Sequence, residues 1–243
     1  MWRRAIVAAA WVVSAGSAGG VLAQSEIDGC RIERGTVCPG ADLAGADLFG
    51  VDLREADLSG ANLAGAELKL ADLRGADLSG ANLQGAALAG ARLMDVVLAG
   101  ADLSGVNLYA AELNGVDLSG ADLRDADLGR AELSKADLSG ADLSGAKLFR
   151  ADLSRASLAS ARLAGADLSS ANLFGADLTD ADLTGAELRN AELTQAQFAG
   201  AEWVTSAICA PGSIGECRVE ETAEPTTTEP EPSEDGSESS GPV

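Results

Sequence analysis

Between residues 41 and 200 the chain places apolar residues on a strict five-residue period. In the stretch 135–160, KADLSGADLSGAKLFRADLSRASLAS, leucine returns at 138, 143, 148, 153 and 158, with alanine two places before each. Thirty-two consecutive pentapeptides follow this register without an insertion. The centre is Leu in 31 of them, Leu43 to Leu193, and Phe198 in the last. The position two before the centre is Ala except at Val51, Val96, Val106 and Val116. The residue just before the centre, the rung position below, is mostly Asp, Asn or Glu, and the fifth is usually Gly. An α-helix turns about 100° per residue, so a step of five carries successive leucines roughly 140° around the cylinder and builds no apolar face. A flat strand alternates with period two, so an odd step throws them to opposite faces. The pattern therefore predicts short extended pieces joined by corners, with the large and small apolar positions inward and the other three outward. A fixed period of this kind marks a repeat architecture.

The motif A-D/N-L-x-x, as in ADLSG at 76–80 and ANLAG at 61–65, resembles the signature of the pentapeptide-repeat family. The resemblance covers about two thirds of the chain. It implies an all-β fold, a right-handed quadrilateral parallel β-solenoid with one pentapeptide per side and four per coil. Thirty-two repeats would then make about eight coils. With stacked strands about 4.8 Å apart, the rod is roughly 38 Å long. Such a stack is stabilised between neighbouring coils, so both ends need caps.

Flanking segments differ from the repeats. Residues 1–23 carry Arg3 and Arg4, an apolar run from Ala5 to Val13, then small residues ending at Val21-Leu22-Ala23. That order is the n-region, h-region and cleavage site of a secretory signal, with a break after Ala23 preferred and one after Ala18 the alternative. The run is short for a membrane span, so no stable membrane insertion is expected after cleavage. The Arg3-Arg4 pair leaves a twin-arginine route open beside the general one. Residues 24–40 and 206–219 read as caps around the solenoid at 41–205. They hold all four cysteines at equal spacing, Cys30 with Cys38 in CRIERGTVC and Cys209 with Cys217 in CAPGSIGEC. Four cysteines allow three pairings. A long rod keeps the two pairs tens of ångströms apart, so the local disulfides Cys30–Cys38 and Cys209–Cys217 are expected. From residue 220 to 243 the chain has eight acidic residues, no basic ones and no periodicity, the composition of a disordered tail. A Thr/Pro-rich glycosylated stalk is the sharper alternative for that tail.

Composition narrows the chemistry. The chain has no histidine, and its cysteines are assigned to caps. Neither catalytic nor metal residues nor a cofactor site are expected, and the protein is read as a non-enzyme. Net charge is −21, and removal of Arg3 and Arg4 leaves 15 basic against 38 acidic residues, or −23. With four repeats per coil, one side carries Asp57, Asp77, Asp117, Asp137 and Asp177 and no base. The opposite side carries Phe49, Leu70, Tyr109 and Phe149 beside Lys69, Arg130, Lys147, Arg150 and Arg189. Exposed apolar groups mixed with cations suit a partner-binding surface. One interruption stands out at 86–100, AALAGARLMDVVLAG, where the rung positions are Ala87, Arg92 and Val97. It reads as relief of stacked like charges rather than as a patch through Met94.

Two functions follow. Some cytoplasmic pentapeptide-repeat proteins mimic DNA in shape and charge and protect DNA gyrase from quinolones; on that alternative the aspartate side is the site. The preferred expectation is an exported scaffold, periplasmic or secreted. It binds a protein or cell-envelope partner through Phe49, Leu70, Tyr109, Phe149 and Arg150. It binds no nucleic acid, and an end cap is a candidate homodimer contact.

Overall fold

The computed structural model describes residues 26, 27 and 29–203. The expected leader, the Cys209–Cys217 cap and the acidic tail lie outside these residues. At the N-terminal end, β1 (Glu26–Ile27) pairs antiparallel with β2 (Cys30–Arg31), in the register Glu26↔Arg31 and Ile27↔Cys30. The rest is a β-solenoid. Its sides are too short to form named strands, and each contributes one parallel bridge, always between rung residues twenty apart, from Val37↔Asp57 to Asp182↔Glu202. Twenty residues are four pentapeptides, so the coil has four sides, as expected.

Four backbone hydrogen bonds recur along the pentapeptides, one of them from the fifth-position N–H to the fourth-position carbonyl of the next coil, as Gly45 N to Ala64 O at 2.8 Å. The central N–H donates to the rung carbonyl of the next coil, as Leu43 N to Asn62 O at 2.7 Å. The rung N–H donates back to the inward small residue of the previous coil, as Asn62 N to Ala41 O at 2.9 Å. The fourth bond closes the corner, as Ala46 N to Leu43 O at 3.1 Å. That corner is a β-turn over Leu43, Ala44, Gly45 and Ala46, and its third residue has φ +65°. The left-handed region at this turn position favours glycine, which explains the fifth-position Gly.

The inward positions form one continuous core. Every central leucine from Leu43 to Leu183 is buried, and so are the small residues from Ala56 to Ala186. Each buried leucine contributes about 1.5–3 kcal/mol of apolar burial. Phe198 substitutes for leucine near the C-terminal end, where Trp203 meets it edge-on at 4.9 Å. The stacking ladder also continues below residue 41. Gly35 N donates to Arg54 O and Cys38 N to Asp57 O, both at 2.8 Å. Thr36-Val37-Cys38-Pro39-Gly40 thus follows the pentapeptide register, with Cys38 at the central position and Gly40 at φ +69°. Cys30 is buried beneath it, and the Cys30 and Cys38 sulfurs meet at bonding distance with Cα atoms 5.6 Å apart.

Candidate partner-binding surface

Corner geometry decides what the acidic rungs do. Outward projection predicts that rung carboxylates are solvated charges. Instead, many turn back onto their own corner, and Oδ1 accepts the N–H two residues on. Asp57 takes Ser59 N at 3.1 Å and Ser59 Oγ at 2.7 Å. Asp117 takes Ser119 N at 3.0 Å and Oγ at 2.7 Å. Asp177 takes Thr179 N at 3.0 Å and Oγ1 at 2.6 Å. Asp77 and Asp137 accept Ser79 N at 2.9 Å and Ser139 N at 3.0 Å. The Ser79 hydroxyl and amide hold the Asp77 carboxyl below its usual range. This is an Asx-turn, which Asn makes equally well, as Asn62 does with Ala64 N at 3.3 Å. The five aspartates do share one anionic side, at matching positions of successive coils, but each also holds a corner. The interruption at Arg92 behaves as expected: its guanidinium lies 3.5 Å from both Asp72 below and Glu112 above, a cation between stacked carboxylates.

Elsewhere the carboxylates engage arginine side chains. Arg54 donates Nε to Asp52 Oδ1 at 2.8 Å, and its second nitrogen meets Asp52 Oδ2. Arg74 binds Asp72, and Arg124 binds Asp122, with the same fork. Arg54's side-chain hydrogen bonds pull the Asp52 carboxyl down to about 2, against the smaller opposing effect of burial. Asp72 and Asp122 are lowered for the same reason by Arg74 and Arg124. Arg34, Arg54 and Arg74 line a shallow groove of about 330 Å³ ending at Met94, but all three cations are already paired.

The opposite side is different. Phe49, Leu70, Tyr109 and Phe149 are exposed by 56, 59, 41 and 39%. Phe49, Tyr109 and Phe149 occupy the same position of their coils, and Leu70 sits one residue on, at the corner. Leu70 holds φ +58° there, and Arg150 holds +59°. The Arg150 guanidinium lies 5.0 Å above the Phe149 ring, a cation–π contact. Tyr109 leans on Gly129 one coil above, where a Cβ would meet Tyr109 Cδ2 at 3.1 Å. Glycine at 129 therefore relieves crowding against the ring, since its φ is not in the left-handed region. The structure brings together the predicted aromatic and cationic residues from Tyr109 to Arg150, while Phe49 and Leu70 stand nearer the N-terminal end. Lys135 and Arg155, missed by the sequence reading, flank the same region from the next corner. Their signal was the loss of fifth-position glycine.

Leucine and alanine fill the inside of the solenoid, and its charged side chains lie on its sides. The pentapeptide-repeat pattern matches in eight copies between residues 41 and 202, and the chain belongs to the pentapeptide-repeat family. It is similar to the crystal structure of HetL, a pentapeptide-repeat protein involved in heterocyst differentiation regulation in the cyanobacterium Nostoc. That match has 37% identity, covers 72% of this chain and 90% of HetL, and has a TM-score of 0.50. It is also similar to a trypsin-treated form of QnrB1, a plasmid-mediated fluoroquinolone resistance protein. There the identity is 25%, the coverage 65% and 80%, and the TM-score 0.53. No significant match occurs among curated protein sequences. The matches indicate no enzymatic family.

Proposed function

We propose that the chain is an exported, non-enzymatic interaction scaffold that holds a protein or cell-envelope partner on the side bearing Phe49, Leu70, Tyr109, Phe149 and Arg150. One observation carries the reading. Four of the seven large exposed hydrophobic residues, including every exposed aromatic among the described residues, fall on this one side, whereas the anionic side exposes only Val37 and Val97. Aromatic rings and arginine are the groups that gain most when a partner covers them. Export is supported by the charged and apolar N-terminal pattern and by the approach of Cys30 to Cys38, since a disulfide persists in an oxidising compartment. The test is recovery of the tagged protein from the periplasm or medium, followed by capture of its partner from that compartment. Capture that survives loss of the aromatic side chains contradicts the assignment.

The likeness to QnrB1 favours a second reading, a DNA-mimicking protector of a topoisomerase. It requires the side bearing Asp57, Asp77, Asp117, Asp137 and Asp177 to make the contact, in the cytoplasm. On that reading purified chain protects gyrase from a quinolone, and neutralising those aspartates abolishes the effect.

A further inference from the structure

Five cations stand apart from the rest. Arg130, Lys135, Lys147, Arg150 and Arg155 reach no carboxylate, whereas the other nine of the 14 Lys and Arg among the described residues each do. All five lie in two neighbouring coils, where Arg130 stacks beneath Arg150 and Lys135 beneath Arg155. The stretches 126–135 and 146–155 hold these five cations with Asp127, Glu132 and Asp152, so five positive minus three negative gives +2 within them in a chain of −21, and Glu112 and Asp167 border them on the adjoining coils. Four of them occupy left-handed corners, Arg130 at φ 58°, Lys135 at 61°, Arg150 at 59° and Arg155 at 57°. Glycine sits at most such corners without strain, so each of these side chains is carried at a backbone cost. Stacked like charges roughly 5 Å apart along the rod also repel unless an anion lies against them. Phe149 and Tyr109 border the patch, Phe149 already under Arg150.

We infer that this patch is a docking surface for an acidic polypeptide segment, and that its resident occupant is residues 220–243 of the same chain. The inference rests on the reading of this side as the partner surface. The segment supplies eight carboxylates and no base. The patch lies about three coils from Trp203, or roughly 15 Å along the rod. Twenty-four residues reach up to about 80 Å when extended, so the segment spans the distance. Tethering sets its effective concentration on the order of millimolar. A second copy brings a net −21 and is repelled, so the chain's own segment is favoured over another molecule's. An acidic partner must then displace the tail, which sets the threshold for binding.

The test uses the full chain alone, as an equal mixture of ¹⁴N and ¹⁵N protein treated with a carbodiimide that joins amines to carboxylates at zero length. The expected product links Lys135 or Lys147 to a carboxylate between Glu220 and Glu238, within one isotope label. Yield falls in the variant Arg130→Gly/Arg150→Gly/Arg155→Gly, which keeps both reporter lysines and puts glycine where φ favours it. High salt lowers the wild-type yield in the same way. Three results overturn the inference: no link to the segment, a yield that neither the variant nor salt changes, or links mainly between the two isotopes, which assign the patch to a second copy. No partner enters this measurement, so a failed capture leaves it standing, and its own failure leaves the capture reading standing.

Discussion

Replacing Asp57, Asp77, Asp117, Asp137 and Asp177 by alanine, and in a second protein by asparagine, separates charge from corner-holding. Alanine removes the oxygen that accepts Ser119 N at 3.0 Å and its counterparts at the other four corners. A hydrogen bond to a charged acceptor is worth about 1.5–3 kcal/mol. Solvent reaches these half-exposed corners and replaces part of the bond, which leaves about 1 kcal/mol per site and about 5 kcal/mol over five sites if they add. Asparagine keeps the acceptor and deletes the charge. It also relieves repulsion between the stacked pairs Asp57/Asp77 and Asp117/Asp137. That repulsion is of order 1 kcal/mol per pair at about 5 Å in water. The charge-assisted part of each bond that asparagine loses offsets this relief, so guanidinium unfolding followed by far-ultraviolet circular dichroism should rank asparagine close to wild type and alanine well below both. Equal stability of the alanine and asparagine proteins would refute the corner-holding role and return these carboxylates to plain surface charges.

Mass spectrometry of the native protein should find a new N-terminus near Gln24; an intact Met1 on soluble cytoplasmic protein removes the export reading. Non-reducing peptide mapping should link Cys30 to Cys38 and Cys209 to Cys217, and a crossed pairing contradicts local caps on a long rod. The Asp52 carboxyl is held at about 2, below its ordinary 3.8, by Arg54. A lowered folded-state value gives a contribution that is complete above the ordinary value and is lost as pH falls through the folded one. Melting temperature should accordingly drop as pH falls from 3.8 toward about 2, and Arg54→Gln should flatten that drop; an identical profile in the variant removes the Asp52–Arg54 pair as its cause.

Much of the fold was legible because a five-residue period fits neither helix nor strand, so the pattern itself demanded corners. Leu43 to Leu183 are buried where the pattern puts them. The number of sides is a different matter. Five residues define one side, and only the resemblance to the pentapeptide-repeat family supplied the four that the Asp57↔Asp77 bridge and its equivalents display. The role of the rungs was also hidden. A pattern of inward and outward positions sees Asp57 as outward, although the preference for Asp and Asn at that position was a turn signal available from chemistry alone. Thr36 to Gly40 escaped notice as a stacked pentapeptide because Cys38 replaces leucine and Thr36 replaces alanine. For the candidate surface, Phe49, Tyr109 and Phe149 could be aligned from their spacing. That Arg150 covers Phe149, and that Lys135 and Arg155 find no carboxylate, depends on side-chain geometry that no periodicity carries.

The choice of side is tested most directly by carrying two variants through one capture from the exported compartment: Tyr109→Ser with Phe149→Ser, and Asp117→Asn with Asp137→Asn. Neither alters an inward position, and asparagine keeps the Oδ1 that accepts Ser119 N and Ser139 N. The account predicts that the serine pair loses the partner while the asparagine pair retains it. Full capture by the serine pair, with loss in the asparagine pair, would contradict it and move the site to the anionic side.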